Sequence, residues 1–189
     1  MKRPSMPQPL TEAEVAEAER QLRVSFPDEY RAYLLEVSAG GAVFRLERTE
    51  RGWWWAENSA TRRELLSVPF PHPDSYADAD DELDAREPQA QDFPDQRSYG
   101  DAWNAWDAEC EEFEDRKTAG AVIAGDHGCG FFTLLVITGP LAGTVWWDGR
   151  ATCGLIVPLS LDHSGGAQPI EFGNWIKRES WSLLPPGWG

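Results

Sequence analysis

Residues 10–41 read LTEAEVAEAERQLRVSFPDEYRAYLLEVSAGG, a stretch that predicts two amphipathic helices. Thr11 and Glu14 have the spacing of a capping box, in which the cap hydroxyl accepts an amide proton and the glutamate accepts the amide proton of the cap residue. The apolar residues that follow recur on one helical face: Val15, Ala18 and Leu22. Because charged residues occupy the other faces, this helix is expected to bury a single stripe.

The second helix is predicted to begin at Pro27, because proline suits the first helical position, where an amide proton would have no partner. Its apolar and aromatic residues keep the helical spacing: Tyr30, Tyr33, Leu34 and Val37. Gly40 and Gly41 predict its end, since glycine readily takes the left-handed conformation that ends many helices. The opening of the chain is therefore expected to form a helix, a turn and a helix.

Downstream of residue 120, the apolar spacing changes from helical to strand-like. Three short runs rich in β-branched and aromatic residues are separated by glycine turns: AVIAGD (121–126), FFTLLVIT (131–138) and GTVWWDG (143–149). Leu155 to Leu159 contains a proline and predicts a last strand at a sheet edge, because proline cannot donate to a strand ladder. Ile170 to Trp181 predicts a short closing helix.

Two further runs, at 42–48 (AVFRLER) and 51–58 (RGWWWAEN), predict a first hairpin. Together these patterns predict an α+β fold. Its antiparallel sheet of about four to six strands would pack against N-terminal, inserted and C-terminal helices. The 189 residues are expected to form one domain, since domains commonly contain about 100–200 residues.

Acidic residues are concentrated in the middle of the chain. The chain has 32 acidic and 17 basic residues, a net charge of −15, and 16 of the acidic residues but only two basic ones lie between His72 and Asp115. Pro69 to Gln96 contains five prolines and predicts a solvated loop. Ser98 to Lys117 predicts an acidic amphipathic helix, whose apolar residues are Trp103, Trp106, Cys110 and Phe113. Residues 69–119 are therefore interpreted as an acidic insertion in the domain.

Composition excludes several classes of function. The acidic balance argues against direct nucleic-acid binding, because phosphate groups attract basic surfaces, and it favours a basic partner. No apolar run approaches the roughly 20 residues that span a bilayer. The first ten residues lack the apolar segment of a signal peptide, which predicts a cytoplasmic protein. Three cysteines without close pairs predict reduced thiols.

Residues that commonly bind metals or catalyse reactions are scattered along the sequence. Asp126, His127 and Cys129 are metal-ligand types, but ligands on one tight turn do not surround an ion by themselves. Asp126 is instead expected to accept an amide proton of its own turn, as aspartates before glycine do. The sequence therefore predicts neither an enzyme nor a cofactor, and a metal site at this turn is the alternative.

Two groups of residues resemble signatures of the SUKH superfamily, which includes bacterial toxin-immunity proteins and fungal cell-wall-synthesis regulators. The first group accompanies the opening helix pair: Phe26, Pro27, Tyr30, Gly40 and Gly41. The second lies in the glycine-rich turn: Gly125, Asp126, Gly128 and Gly130. The resemblance implies a non-catalytic binding protein that neutralises a cognate toxin, such as a nuclease or a deaminase. The alternative that it implies is a regulatory or scaffolding module that binds several host proteins.

The acidic insertion is the predicted contact surface for a basic toxin, because opposite charges steer association. Its candidate residues are Asp78, Asp80, Asp81, Glu82, Asp84, Glu109, Glu111, Glu112, Glu114 and Asp115. The run Trp53, Trp54 and Trp55 is a second candidate, since tryptophan is frequent in binding hot spots, and a simple hairpin is the alternative. Core packing is expected for most of the other large indoles: Trp103, Trp106, Trp146, Trp147, Trp175 and Trp181.

Overall fold

The computed structural model describes residues 6–41, 43–56, 62–164 and 166–188. The chain forms two compact units, one from Met1–Phe70 with Ala119–Gly189 and one from Pro71–Thr118. Helices and antiparallel strands build the first unit, and helices build the second. The predicted α+β class with an antiparallel sheet is therefore confirmed.

The first unit opens with helices α1 (Glu12–Leu22) and α2 (Asp28–Glu36). The predicted capping box is present: the Glu14 amide donates to the Thr11 hydroxyl (3.3 Å), and the Thr11 amide donates to the Glu14 carboxylate (2.8 Å). The three residues of the apolar stripe are buried: Val15, Ala18 and Leu22. The sequence therefore predicted both the start and the buried face of α1.

The predicted end of α2 at the glycine pair is wrong, because the helix ends at Glu36. The chain turns away earlier, since the Ser38 hydroxyl donates to the Pro7 carbonyl (2.7 Å) and the Ala39 amide donates to the Gln8 carbonyl (3.1 Å). Gly40 instead permits a close approach of two main-chain segments, because a Cβ atom there would lie 2.9 Å from the Arg45 Cα.

A hairpin follows, formed by strands β1 (Leu46–Thr49) and β2 (Gly52–Trp55). The predicted first hairpin is confirmed over these residues, while Ala42, Glu57 and Asn58 at the ends of the predicted runs lie outside the described residues. Side chains alternate between the two faces of a strand. Accordingly Trp53 and Trp55 are buried together, and Trp54 lies on the other face, half-buried.

The main sheet contains strands β3 (Ala121–Asp126), β4 (Phe132–Val136), β5 (Thr144–Asp148) and β6 (Ile156–Pro158) in that spatial order, with β7 (Ile170–Glu171) also paired to β5. All of these pairs are antiparallel. Pro158 lies in the edge strand β6, as predicted. A short helix, α5 (Arg150–Cys153), connects β5 to β6.

The predicted helix over Ile170 to Trp181 is wrong in most of its length. Ile170 donates its amide to the Leu159 carbonyl (2.7 Å) and pairs with Val145, so the segment starts as strand β7. Helix α6 is the single turn Phe172–Trp175, and a 3₁₀ turn follows at Ser180–Leu183. Trp181 is 46% exposed rather than buried.

Two apolar clusters pack on the main sheet, as the alternation of side chains along its strands requires. The larger contains Leu135, Val145 and Trp147 of the sheet, and the smaller contains Leu134 and Trp146. Aromatic residues of α2, β2 and α6 lie at the centre of the larger cluster: Tyr30, Trp55 and Phe172. The buried Tyr30 hydroxyl accepts a hydrogen bond from the Trp55 indole at 2.7 Å, which satisfies both polar atoms.

The second unit contains α3 (Ala77–Asp84) and α4 (Gln96–Lys117). The predicted acidic helix is confirmed as α4, two residues longer at its start. The predicted loop over Pro69 to Gln96 is wrong at α3. Leu83 is the one buried residue of α3. The sequence of α3 therefore has no repeating apolar pattern from which a helix could be predicted.

Candidate protein-binding surface

Helices α3 and α4 pack against each other in antiparallel directions. Near one end, the rings of Tyr76 and Phe113 meet edge to face at 6.2 Å between centroids. Near the other end, the Trp106 indole donates to the Leu83 carbonyl at 3.0 Å. Aromatic side chains of the insertion therefore form the contact between its own two helices.

Lys117 joins the two helices through a buried ion pair. Its ammonium group donates to both carboxylate oxygens of Asp80 (2.8 and 2.7 Å) and to Glu114 (2.5 Å), although the side chain is only 4% exposed. It also lies 5.0 Å from the centroid of the Phe113 ring, a favourable position for a cation. A buried ammonium needs such partners, so Asp80 and Glu114 stabilise the unit itself.

Two more of the predicted contact residues have basic partners at the surface. Arg86 forms a bidentate ion pair with Glu109 (2.9 and 2.7 Å). The hydrogen bonds from Arg86 hold the pKa of the Glu109 carboxyl below its usual range. Glu112 pairs with Arg116 one helical turn later (2.6 Å). These carboxylates have less uncompensated charge to offer a partner.

The remaining predicted carboxylates differ in exposure. Five are exposed and make no ion pair within the described ranges: Asp78, Asp81, Glu82, Asp84 and Glu111. Asp115 is half-buried. Three of the exposed carboxylates on α3 share one face, because Asp78, Asp81 and Glu82 have the i, i+3, i+4 spacing. Asp107 and Glu111 similarly share a face of α4, and both are exposed.

The tryptophan run in the first unit is mostly a core element. Trp53 is 3% and Trp55 is 1% exposed, so neither ring presents a surface that a partner could contact in this conformation. Trp54 is half-buried, and the Arg63 guanidinium lies 4.5 Å from its ring centroid. Of the three tryptophans proposed as a contact surface, only Trp54 is accessible. The burial of the other two agrees with the alternative interpretation, in which the run is a structural part of the hairpin.

The glycine-rich turn between β3 and β4 is held by Asp126, as predicted, because its carboxylate accepts the Gly128 amide at 2.8 Å. Three successive residues have positive φ: Gly128 (80°), Cys129 (54°) and Gly130 (79°). This conformation favours glycine. Within the described ranges, no group of three or more His, Cys, Asp or Glu side chains could hold a metal ion.

Sequence reasoning missed an aromatic cluster around His127. The imidazole lies 4.7 Å from the Trp147 ring and 5.7 Å from the exposed Trp181 ring. Its Nε2 is 2.8 Å from the buried Thr133 hydroxyl, which is 2.9 Å from the Ser180 hydroxyl. Because these residues are distant in the sequence, no local pattern marks the cluster.

We expect protonation of His127 to destabilise the protein as the pH falls. Burial lowers the pKa of this imidazole from its usual 6.5, while Asp126 and Glu179 partly oppose the shift. The neutral form is therefore the one that the fold favours, so its stabilising contribution is present above about pH 6.5 and is lost as the pH falls through the lowered pKa. NMR titration should give a midpoint below 6.5 for His127.

Comparison with a His127→Gln variant separates this effect from general acid destabilisation. The free energy of unfolding should fall less between pH 7.5 and pH 5 in His127→Gln than in the native protein. If the free energy of unfolding depends on pH equally in the native protein and in His127→Gln, protonation of His127 does not cause the loss of stability.

The fold and the turn together define the class of the first unit: an α+β domain in which a capped helix pair precedes an antiparallel sheet. The model of the SMI1 / KNR4 family (SUKH-1) matches residues 9–158. The chain belongs to this family, which includes immunity proteins. Comparison with curated proteins and with solved structures gives no significant match. Among the described residues, no helix combines the length and apolar character needed to cross a membrane.

Proposed function

We propose that this protein is a bacterial immunity protein, which binds and neutralises a cognate toxin in the cytoplasm through the acidic faces of α3 and α4. The observation that carries the proposal is the set of exposed carboxylates without basic partners on these helices. Family membership supports the class of function, because the family includes immunity proteins. The toxin is a basic protein, such as a nuclease or a deaminase that acts on nucleic acid.

The charge of the insertion supports a basic partner. Residues 71–118 contain 16 acidic and four basic residues, and three of the four basic residues are engaged in the ion pairs of Arg86, Arg116 and Lys117. A field of one sign steers an oppositely charged protein and accelerates association. Proteins that act on nucleic acids need basic surfaces to bind phosphate, so a carboxylate array suits such a surface.

The contacts divide the predicted carboxylates into two sets with different roles. Asp80, Glu109, Glu112 and Glu114 hold the helices or are neutralised by neighbours. The outward set, defined as Asp78, Asp81, Glu82 and Glu111, is the part of the array that a toxin would contact. In this assignment, binding is decided by side chains that the fold does not require.

A pull-down from native host extract tests the proposal. The purified protein is incubated with extract at low and at high salt, and retained proteins are identified by mass spectrometry. We expect one small basic protein that is lost as salt rises, because salt screens exposed charges. Co-expression should then protect cells from that protein. Recovery of several unrelated cellular proteins would instead favour a scaffolding module and would contradict toxin neutralisation.

A further inference from the structure

A chain of hydrogen bonds connects His127 to the 3₁₀ turn Ser180–Leu183, which we call the closing turn. The Trp175 indole donates to the Ser180 hydroxyl at 2.9 Å, and this hydroxyl lies 2.9 Å from the Thr133 hydroxyl. The Thr133 hydroxyl in turn lies 2.8 Å from Nε2 of the imidazole. Thr133 is 0% and Ser180 is 6% exposed. Each of the two buried hydroxyl protons therefore needs an acceptor inside the protein.

One direction of donation satisfies every member of this chain. An indole N–H can only donate, so Trp175 cannot accept the proton of Ser180. Among the described residues, the other partner of the Ser180 hydroxyl is Thr133. Thr133 therefore accepts the Ser180 proton and donates its own proton to Nε2 of His127. It follows that Nε2 is the unprotonated nitrogen of the neutral imidazole, and that Nδ1 carries the proton.

Protonation of His127 is incompatible with this direction. An imidazolium has a proton on both nitrogens, so Nε2 becomes a donor and can no longer accept from Thr133. Thr133 can accept from the imidazolium, but one of the two hydroxyl protons is then left without an acceptor. An unsatisfied buried donor costs more than a typical hydrogen bond contributes. Moving Ser180 into water removes this cost.

The closing turn is the part of the chain of hydrogen bonds that can move. Thr133 lies in β4, which is paired on both sides, with β3 and with β5. The closing turn carries Trp181, whose ring is exposed and meets the Trp147 ring at 4.7 Å between centroids. Its other end is anchored, because Leu183 is buried and its carbonyl accepts a main-chain amide at 3.0 Å. A displacement of Ser180 therefore hinges at Leu183 and carries Trp181 with it.

The neighbouring titratable groups have different effects. Asp126, at the end of β3, and Glu179, before the closing turn, favour the imidazolium and partly oppose the lowering of the His127 pKa by burial. The side chains that β4 and β5 place against the ring are a hydroxyl and an indole, neither of which is charged. His163 donates to the Leu183 carbonyl (3.0 Å). A histidine retains this N–H when it is protonated, so titration of His163 preserves that bond.

We propose that the hydrogen-bond chain from Trp175 to His127 is a pH-sensitive latch on the closing turn. While His127 is neutral, the latch holds Ser180 against the sheet. Protonation turns Nε2 from an acceptor into a donor, which releases Ser180 and moves Trp181 away from Trp147. The latch is closed at neutral pH and opens as the solution is acidified, while the paired strands of the sheet stay in place.

Nitrogen NMR of the native protein tests the direction of the chain. At pH 7.5, we expect the ring signals of His127 to show a proton on Nδ1 and none on Nε2. A proton on Nε2 of the neutral ring would mean that the imidazole donates to Thr133, and it would overturn the proposal.

Hydrogen exchange tests the opening of the latch. The Ser182 amide donates to the Glu179 carbonyl at 3.0 Å across the closing turn. Its protection, measured relative to an unstructured peptide at the same pH, should fall about tenfold between pH 7.5 and pH 5. The NMR contact between the rings of Trp181 and Trp147 should weaken over the same range. Constant protection of Ser182 would overturn the proposal.

Two variants should both remove the pH response, but in opposite states. Ser180→Ala cuts the chain, so the Ser182 amide should be weakly protected at both pH values. His127→Gln retains an acceptor for the Thr133 proton and does not titrate, so the amide should be well protected at both. A tenfold fall that persists in Ser180→Ala would assign the response to burial of the imidazole and would overturn the latch.

A second pair of variants keeps the test decisive if Ser180→Ala does not fold. Thr133→Val removes the hydroxyl at nearly equal volume, whereas Thr133→Ser retains it. The pH response of the Ser182 amide should be present in Thr133→Ser and absent in Thr133→Val. The same response in both variants would show that the hydroxyl does not transmit the protonation of His127, and the latch would be wrong.

Discussion

Gly120→Ala is expected to lower the free energy of unfolding by about 2–5 kcal/mol. Gly120 has φ of +67°, a left-handed conformation that side chains disfavour, and an added Cβ would lie 2.4 Å from the Val68 carbonyl oxygen and 2.8 Å from the Phe70 nitrogen. Both atoms belong to the main chain, so neither can rotate away. The change therefore combines conformational strain with overpacking.

Hydrogen bonds prevent the surroundings of Gly120 from relaxing. Its amide donates to the Leu65 carbonyl (3.0 Å), and its carbonyl accepts the amides of Ile137 and Thr138 (2.7 and 3.0 Å). Moving the main chain to accommodate a methyl group would break at least part of this set.

Urea unfolding of Gly120→Ala and Gly100→Ala provides the measurement and its control. Gly100 lies inside α4, and an added Cβ would meet no atom within 4 Å. Because alanine favours helix over glycine, this control should be stabilised by about 0.5–1 kcal/mol. A loss below about 1 kcal/mol for Gly120→Ala would show that the strand end adapts more easily than its contacts indicate.

Reversal of the outward set to lysine is expected to slow association with a basic toxin by about 10- to 1,000-fold at low salt. Each of the four reversals changes the charge by two, so the net charge rises from −15 to −7. Because none of these carboxylates makes an ion pair among the described residues, the fold of the second unit should survive. Stopped-flow measurement of the association rate checks the expected slowing, and circular dichroism checks that the fold survives.

A charge-matched control distinguishes a local surface from net charge. Reversal of four exposed glutamates in the first unit gives the same net charge: Glu36, Glu50, Glu64 and Glu179. When the two variants are compared at about 0.15 M ionic strength rather than at low salt, this control should slow association much less, because the Debye length is then about 8 Å and only charges near the contact contribute. If the two variants slow association equally, net charge rather than a local surface causes the effect. The assignment of the toxin contact to α3 and α4 would then be wrong.

Local sequence signals predicted the parts of the fold that depend on neighbouring residues. The capping box of Thr11 and Glu14 joins residues three apart, and the Asp126 turn involves residues two apart. Strands β3, β4 and β5 were recognised because each is a short branched or aromatic run between glycines. In these cases, the residues whose interactions determine the local structure are all part of the same short sequence motif.

The parts that sequence reasoning missed depend on distant partners. Helix α3 was predicted as a loop, yet Asp80 is held by Lys117, 37 residues later. Ile170 was predicted as helical, yet its pairing with Val145 makes it a strand residue. The division of the acidic residues into paired and unpaired sets was equally hidden, because the charge count is the same whether or not Arg86 reaches Glu109.

The two positions at which the second unit joins the chain of the first have a consequence for how the insertion can be changed. Phe70 and Gly120 both hydrogen-bond to Thr138, through its carbonyl and its amide respectively, so the intervening segment leaves and rejoins the sheet domain at adjacent positions. A segment of different length or charge can therefore replace the native one at this junction, since the cost of closing a longer loop grows only slowly with its length. The sheet domain can stay constant while the inserted segment changes.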